Sequence, residues 1–429
     1  MQWNQKLWER SVDEFAGFLA PLVAGLGRSE RRAGAALYVQ GLLLPGERKS
    51  VEPMAARLGT DSQKLQQFLA DSPWDEQAVW RAIRQEVVPV LEPLAAWIID
   101  ETGWLKQGQK SVGVARQYCG AVGKTASCQV SVEVCVSDGQ VAAPVAGRLY
   151  LPESWADDPE RRLAAGVPTA VVFQSKPALA LDLVREVAAD GVRPAPVLGD
   201  EVYGNASALR LGLRELGLEY FLNAGADLLA WAQPPKTRRA RKYWGVAHDQ
   251  PKPVSLAALA KELAAEQWQT VAWQAADGTR RQTRIGWLAV YAQSDLDPAT
   301  GDWPQTWLVV DWPAEAAEPY HHYLAWLKTP PNPQRCLRLS RGRFPIEQFF
   351  QRDKTDLGLD HYEGRSWRGF HHHRVLAAVA YLFVLVIYLR SKKIAWCYVG
   401  TGAASDAAVV DTINRLLSLL PNKIHPKNS

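Results

Sequence analysis

Apolar residues recur at helical spacing through roughly the first ninety positions. "SVDEFAGFLAPLVAGL" sets them behind a serine able to cap a helix. "SVEPMAARLGTDSQKLQQFLADSPWDEQAVWRAI" gives a short helix, a turn at Gly59 and a second helix opened by Thr60 or Asp61. That outline fits a helix-turn-helix, whose second helix can enter a DNA major groove. It equally fits a plain helical hairpin.

From residue 95 the pattern shifts to short runs of strand character. "AAWIID" and "SVGVARQYCG" read as strands, and "CQVSVEVCVSDGQVAAPVAGRLYL" as two more around a turn at Ser137-Asp138-Gly139. "KPALALDLVREVAADG" is an amphipathic helix ended by Gly191, "APVLGD" a strand, "NASALRLGLRELGL" a helix and "EYFLNAG" a strand. The β-β-β-α-β-α-β order predicts a mixed α/β fold, a sheet covered by helices. Between 225 and 335 that order is interrupted by "IGWLAVYA", "TWLVVDW" and "YHHYLAWL", which read as a β-rich insertion. Helices resume at Pro345. The expected division is a helical N-terminal domain (1–90), the first part of an α/β core (91–224), the insertion (225–335), the second part of the core (336–400), and a C-terminal helix with a loose tail (401–429).

The apolar run Val375 to Leu389 has fifteen residues, short of the ~20 that span a bilayer. It reads as a buried core helix. The N-terminus "MQWNQKLWERSVDEF" lacks a basic-then-apolar leader. A cytoplasmic protein without a membrane partner is expected.

Composition adds little until its distribution is considered. In a 429-residue chain, 47% apolar and 22% charged residues are ordinary for a folded soluble protein, and a net charge of +4 marks no polyanion binder in bulk. Locally, "KTRRARK" holds Lys236, Arg238, Arg239, Arg241 and Lys242, five basic residues in seven. Several of the eighteen tryptophans lie beside cations, as in "RSWRGF" and "RKYWG". The five cysteines show no CxxC pair or zinc spacing, and Cys128 and Cys135, in an expected strand, read as buried reduced thiols. There is no GxxxxGK[ST], no GxGxxG after a strand and no GxSxG, so neither ATP use nor serine-hydrolase chemistry has support.

Three acids stand out. Asp100 and Asp200 each end a short apolar strand ("WIID", "VLGD"), and strand carboxyl ends are where sites assemble in open α/β sheets. Two carboxylates there can share a divalent cation; singly, each is equally a cap or turn acid. Their neighbours Glu101 and Glu201 should point to the opposite face. The third acid, Glu347, lies in "RFPIEQFFQRDK", where Pro345 suits the first turn of a helix. Glu347, Gln351 and Lys354 then share one face, and Ile346, Phe350 and Leu357 another. With Arg343 just before the helix, the acid can hold a metal while Arg343 and Lys354 hold phosphates; a salt-bridged solvent face is the alternative. Arg365, Trp367 and Arg368 can grip phosphate and stack on a base, or pack a tryptophan beneath two arginines. His371, His372 and His373 point in three directions on a helix and suit no zinc site.

At these residues the chain resembles bacterial insertion-sequence transposases of the DDE superfamily, in the branch with a Tyr-x2-Arg-x3-Glu-x6-Lys signature. Arg343, Glu347 and Lys354 fall at that spacing, and Ser340 stands where the tyrosine would be. "DETGWLKQGQKSVGVARQYCG" resembles the first-acid block, "GDEVYG" the second, and "LGLDHYEGRSWRGFHHH" the segment after the third. The resemblance covers about residues 30 to 390. It implies a ribonuclease-H-like catalytic core and two Mg²⁺ ions (Mn²⁺ able to substitute) on Asp100, Asp200 and Glu347. It also implies cut-and-paste DNA transposition, with double-stranded transposon ends and target DNA as partners on the nucleoid and a dimer in the DNA complex. A nuclease without strand transfer and a non-catalytic DNA-binding descendant are the alternatives. The long gap before Glu347 resembles the β insertion of relatives that cut through a DNA hairpin. Trp231, Trp244 and Trp307 are then candidates for holding a flipped base, with core packing as the alternative.

Overall fold

The computed structural model describes residues 5–398 apart from 45, 241–242, 275–278, 298, 314 and 320. Six helices come first: α1 (Gln5–Val23), α2 (Ser29–Leu43), α3 (Val51–Leu58), α4 (Ser62–Ala70), α5 (Glu76–Glu86) and the short α6 (Val88–Leu91). The turn between α3 and α4 needs Gly59, whose φ of 63° is left-handed. Asp61 opens α4 by accepting from the Gln63 N–H at 2.9 Å.

The sheet begins with β1 (Ala96–Leu105), β2 (Ala115–Cys119), β3 (Lys124–Ser137) and β4 (Ala142–Leu149). The short helices α7 (Glu153–Ala156) and α8 (Pro159–Ala165) lead into α9 (Lys176–Ala189), whose Ser175 cap and early proline set its start. Then come β5 (Val197–Gly199), α10 (Glu201–Gly204), α11 (Ser207–Glu215) and β6 (Tyr220–Ala224). The strand order β2-β3-β1-β5-β6 has β1, β2 and β3 antiparallel and β1, β5 and β6 parallel. β4 also pairs antiparallel with β3, beside β2, so the antiparallel series β4-β3-β1 followed by the parallel β5 and β6 is the ribonuclease-H-like arrangement.

Most of the next strands extend this same sheet. They are β7 (Leu229–Trp231), β8 (Thr237–Ala240), β9 (Tyr243–Val246), β10 (Val254–Ser255), then helix α12 (Leu256–Lys261), β11 (Gln269–Gln274), β12 (Arg280–Ala292), β13 (Thr306–Pro313) and β14 (His321–Trp326). β14 pairs antiparallel with β6, β13 with β14, and β12 with β13, β11 and β7, while β8 and β9 form a separate hairpin. A small core of its own, including Leu256, Leu259, Val290 and Leu308, sits under α12. Buried Arg210 on α11 binds Asp295 after β12 at 2.9 Å, tying these strands to the helical layer.

Three helices end the described residues: α13 (Pro333–Arg341), α14 (Phe344–Leu357) and α15 (Trp367–Tyr398); the C-terminal helix and tail expected over 401–429 lie outside them. Pro345 lies in the first turn of α14, and Gly358 ends it at φ 72°. The stretch Trp367–Arg390 is long and apolar enough to cross a membrane, yet it is mostly buried and packs on α2, α4 and β4. It is the core helix the apolar run predicts.

The three consecutive histidines fasten α15 to its surroundings. His372 sits between the carbonyls of Leu69 (Nδ1, 2.8 Å) and Trp74 (Nε2, 2.9 Å) and stacks on the Trp74 ring with centroids 3.5 Å apart. His373 meets the Tyr38 hydroxyl at 2.8 Å and the Leu359 carbonyl at 3.0 Å, and His371 Nε2 accepts from the Leu149 N–H of β4 at 3.3 Å. Burial lowers all three, His371 and His372 to about 4 and His373 to about 3.

Candidate active site

β1 does not stop at Asp100. It runs five residues further, because Thr102 and Trp104 continue the buried alternation and β3 pairs with it to Leu105. Gly103 is required there, since a Cβ would strike the Cys119 sulfur. Asp100 therefore sits in mid-strand. What ends beside it is β5: Trp97 is level with Val197 and Ile98 with Leu198, so continuing that register brings Asp100 level with Asp200. Two neighbouring parallel strands thus present the two aspartates side by side.

Asp200 also caps α10, accepting from the Val202 N–H at 3.0 Å. Its carboxyl is raised by burial first and by the charge of Glu101 second. Asp100 is buried and accepts from the Glu101 N–H at 2.8 Å. Burial pushes its carboxyl up to about 7, against the pull of Arg343 and with the push of Asp200.

Glu347 arrives from the far end of the sequence. Only Gly342 and Arg343 separate α13 from α14, and Arg343 reaches in both directions: Nη1 donates to Asp100 Oδ2 and Nη2 to Glu347 Oε1, each at 2.5 Å. The guanidinium thus bridges two of the three acids. Its own burial opposes the charged form, but Asp100 and Glu347 outweigh it and raise its pKa. Lys354 turns inward, its ammonium donating to the Gly103 carbonyl at 2.8 Å and pinning α14 to β1. Ser340 donates to the Leu337 carbonyl within α13 at 3.0 Å.

Strand alternation turns Glu101 away from Asp100. It nevertheless accepts from Lys176 at 2.7 Å and from the Tyr203 hydroxyl at 2.8 Å. Lys176, at the start of α9, carried no motif that would have singled it out. A second feature also went unread. Glu133 lies directly across from Asp100 on β3 and binds Arg374 of α15 through two bonds, at 2.7 and 2.5 Å, with both side chains fully buried.

The other candidate DNA contacts lie apart. Lys236 is exposed and pairs with Asp249 at 2.8 Å, and Arg238 contacts His248 on the β8–β9 hairpin. The Arg239 side chain, and Arg241 and Lys242 altogether, lie outside the described residues. Arg365 is exposed on a groove of 890 Å³ shared with Arg48, Lys106 and Lys110. Arg368 donates to the Asp71 carbonyl at 3.0 Å, and half-buried Trp367 packs on His371 with ring centroids 4.3 Å apart. Trp231 is a core residue, donating to the Pro251 carbonyl at 2.7 Å; half-buried Trp307 packs against the main core, and the Trp244 ring lies against Gly301.

Hard carboxylate oxygens from two adjacent strands and one helix are the donor set a divalent cation such as magnesium takes. Asp100 and Glu347 already hold a cation between them, the Arg343 guanidinium, so the set fits. Among the described residues, no three histidine, cysteine or carboxylate side chains stand close enough together to hold a metal ion.

The fold and site define a class: a ribonuclease-H-like sheet with two aspartates level on its central strands and a helix-borne glutamate beside them. This chain belongs to the DDE superfamily endonucleases, whose family model matches residues 21–282. That match takes in Asp100 and Asp200 and ends before Glu347. A curated relative, "Probable transposase for insertion sequence element IS701" from Microchaete diplosiphon, is 34% identical over 181 residues, 41% of this chain and 44% of the relative. The chain thus spans less than half of that protein. A solved piggyBac transposase synaptic complex with hairpin DNA aligns over 98% of this chain and 87% of its own at 10% identity. Its TM-score is 0.40, at which the likeness carries no argument.

Proposed function

We propose that the chain is a cut-and-paste DNA transposase, cleaving at the ends of its element and joining them to target DNA. The observation that carries this reading is the meeting of Asp100, Asp200 and the Arg343–Glu347 pair where β5 ends, in a chain of the DDE superfamily endonucleases. The similarity to a probable insertion-sequence transposase supports it.

In this reading Asp100, Asp200 and Glu347 hold two Mg²⁺ ions, with Mn²⁺ an acceptable substitute. Such ions, when bound, activate an attacking oxygen and stabilise the leaving 3′ oxygen of a phosphodiester. The chain's own part is placement. β1 and β5 fix the two aspartates, Lys354 pins the helix that carries Glu347, and Arg343 offers a planar fork to a DNA phosphate. Glu101, held by Lys176 and Tyr203, keeps a negative charge behind Asp200. The exposed face of α4 reads the element's ends, the β8–β9 hairpin with its basic run tracks flanking duplex, and Arg365 takes a backbone phosphate. Exposed Arg368 and half-buried Trp367 add to that grip on DNA. Synapsis of two ends makes the DNA complex a dimer.

The test uses the full chain, labelled ends of its own element, and Mg²⁺ or EDTA, comparing wild type with Glu347→Gln. Cation-dependent cleavage and joining by wild type, both lost in a variant that still binds the ends, are expected. Cleavage without joining to a supplied target would make the protein a nuclease, and binding without cleavage by either form a DNA-binding protein. Equal cleavage by both forms would remove Glu347 from the site.

A further inference from the structure

The Arg343 guanidinium occupies the space between Asp100 Oδ2 and Glu347 Oε1, at 2.5 Å from each. It stands at a helix junction, on a short connection, with its side chain 32% exposed and Glu347 49% exposed. The bond to Glu347 is therefore within reach of solvent, while the Asp100 end, 11% exposed, is sheltered. The same planar fork that fits two carboxylate oxygens fits two phosphate oxygens equally well.

We propose that Arg343 is an exchangeable counter-ion: it neutralises Asp100 and Glu347 until a divalent cation takes those oxygens, and the released guanidinium then binds a DNA phosphate. This rests on the reading of the three acids as metal ligands. Its consequence is a coupling. A cation that displaces Arg343 frees it for DNA, and a phosphate that draws Arg343 away frees the acids for the cation. Because the coupling is thermodynamic, each ligand strengthens the other by the same factor.

Two measurements on the full chain test this. The first is Mn²⁺ binding without DNA, followed by electron paramagnetic resonance. Arg343→Gln, which removes the competing charge at similar length, should bind Mn²⁺ roughly fivefold tighter than wild type, about the worth of one part-exposed ion pair. Arg343→Lys, which can reach only one acid at a time, should fall between. The second is anisotropy of a labelled end duplex with and without Ca²⁺, a larger ion with looser coordination. The Ca²⁺-dependent gain in affinity should be larger in wild type than in Arg343→Gln by a similar factor. Unchanged or weaker Mn²⁺ binding by Arg343→Gln, or equal Ca²⁺ gains, would overturn the exchange. Asp200→Asn and Glu347→Gln serve as controls: if neither weakens Mn²⁺ binding, the metal assignment itself fails. If they do and Arg343→Gln does not tighten it, only the exchange fails. Should Arg343→Gln melt too low to handle, Arg343→Lys carries the same comparison.

Discussion

Two arginine–carboxylate assemblies lie on facing positions of one strand pair, and they are built to opposite ends. Glu133 and Arg374 are both fully buried, and Arg374 also lies over the rings of Trp80 and Phe349 at 5.4 and 5.7 Å. Gly147 sits across from Glu133, where any Cβ would collide with Glu133 Oε2. One strand over, Asp100, Arg343 and Glu347 make bonds of the same kind with one end of the cluster open to water. The lesson is that exposure, not bond length, separates a structural ion pair from an exchangeable one. Removing one partner from a sealed pair strands a charge in low dielectric, whereas an open pair hands its charges to solvent or to another ion.

Breaking the sealed side should produce the largest effect. Arg374→Met leaves Glu133 buried without a partner and should cost about 3–5 kcal/mol, read as a fall in the urea midpoint of the full chain. Adding Glu133→Leu should recover much of that loss, since two apolar groups need no compensation. Gly147→Ala pushes a methyl into the same carboxylate and should cost about 1–3 kcal/mol in the same assay.

A subtler break uses Asp353 of α14. It is fully buried, neither carboxylate oxygen has a hydrogen-bond partner among the described residues, and burial pushes it up to about 7 against the attraction of Arg374. Glu133 and Asp360 push it the same way, and Lys354 opposes them. The unfolded chain gives up this proton near the ordinary value of 3.8, so it binds fewer protons than the folded chain between there and about pH 7. Stability should fall as pH rises across that window and level off above it. Asp353→Asn should flatten the fall in thermal melts taken from pH 4 to 8. Asp100, raised to about 7 in the same sense, should leave a residual slope.

The smallest stability change belongs to the open side. Arg343→Gln should shift the unfolding free energy by only about 1 kcal/mol or less, while end cleavage in Mg²⁺ falls far below wild type. A loss as large as that of Arg374→Met would erase the distinction between the two assemblies.

Much of this contrast was legible in the residues, and the unread parts share a cause. Asp100, Asp200 and Glu347 were marked by local pattern, an apolar run ending in an acid and a proline opening a helix. Local pattern misjudged the length of β1, because pairing with β3 carries it past the acid into "ETGWL". Arg374 could not be matched to Glu133 at all. They are 241 positions apart, and in "SVEVCV" a lone glutamate looks like the polar half of a two-residue alternation. The histidines show the same limit. Helical spacing argued that they could not share one metal ion, but their partners, the carbonyls of Leu69, Trp74 and Leu359, come from chain segments that spacing does not foresee.

The junction of α13 and α14 can also be viewed as a mechanical part. Arg341, at the end of α13, is clamped to Asp311 of β13 at 2.8 Å and lies over the Trp273 ring of β11 at 5.0 Å. Two residues on, Arg343 is clamped to Asp100. With so short an axle, the two helices cannot turn independently. A shift of strands β11 to β13 would therefore be felt first at the start of the helix that carries Glu347.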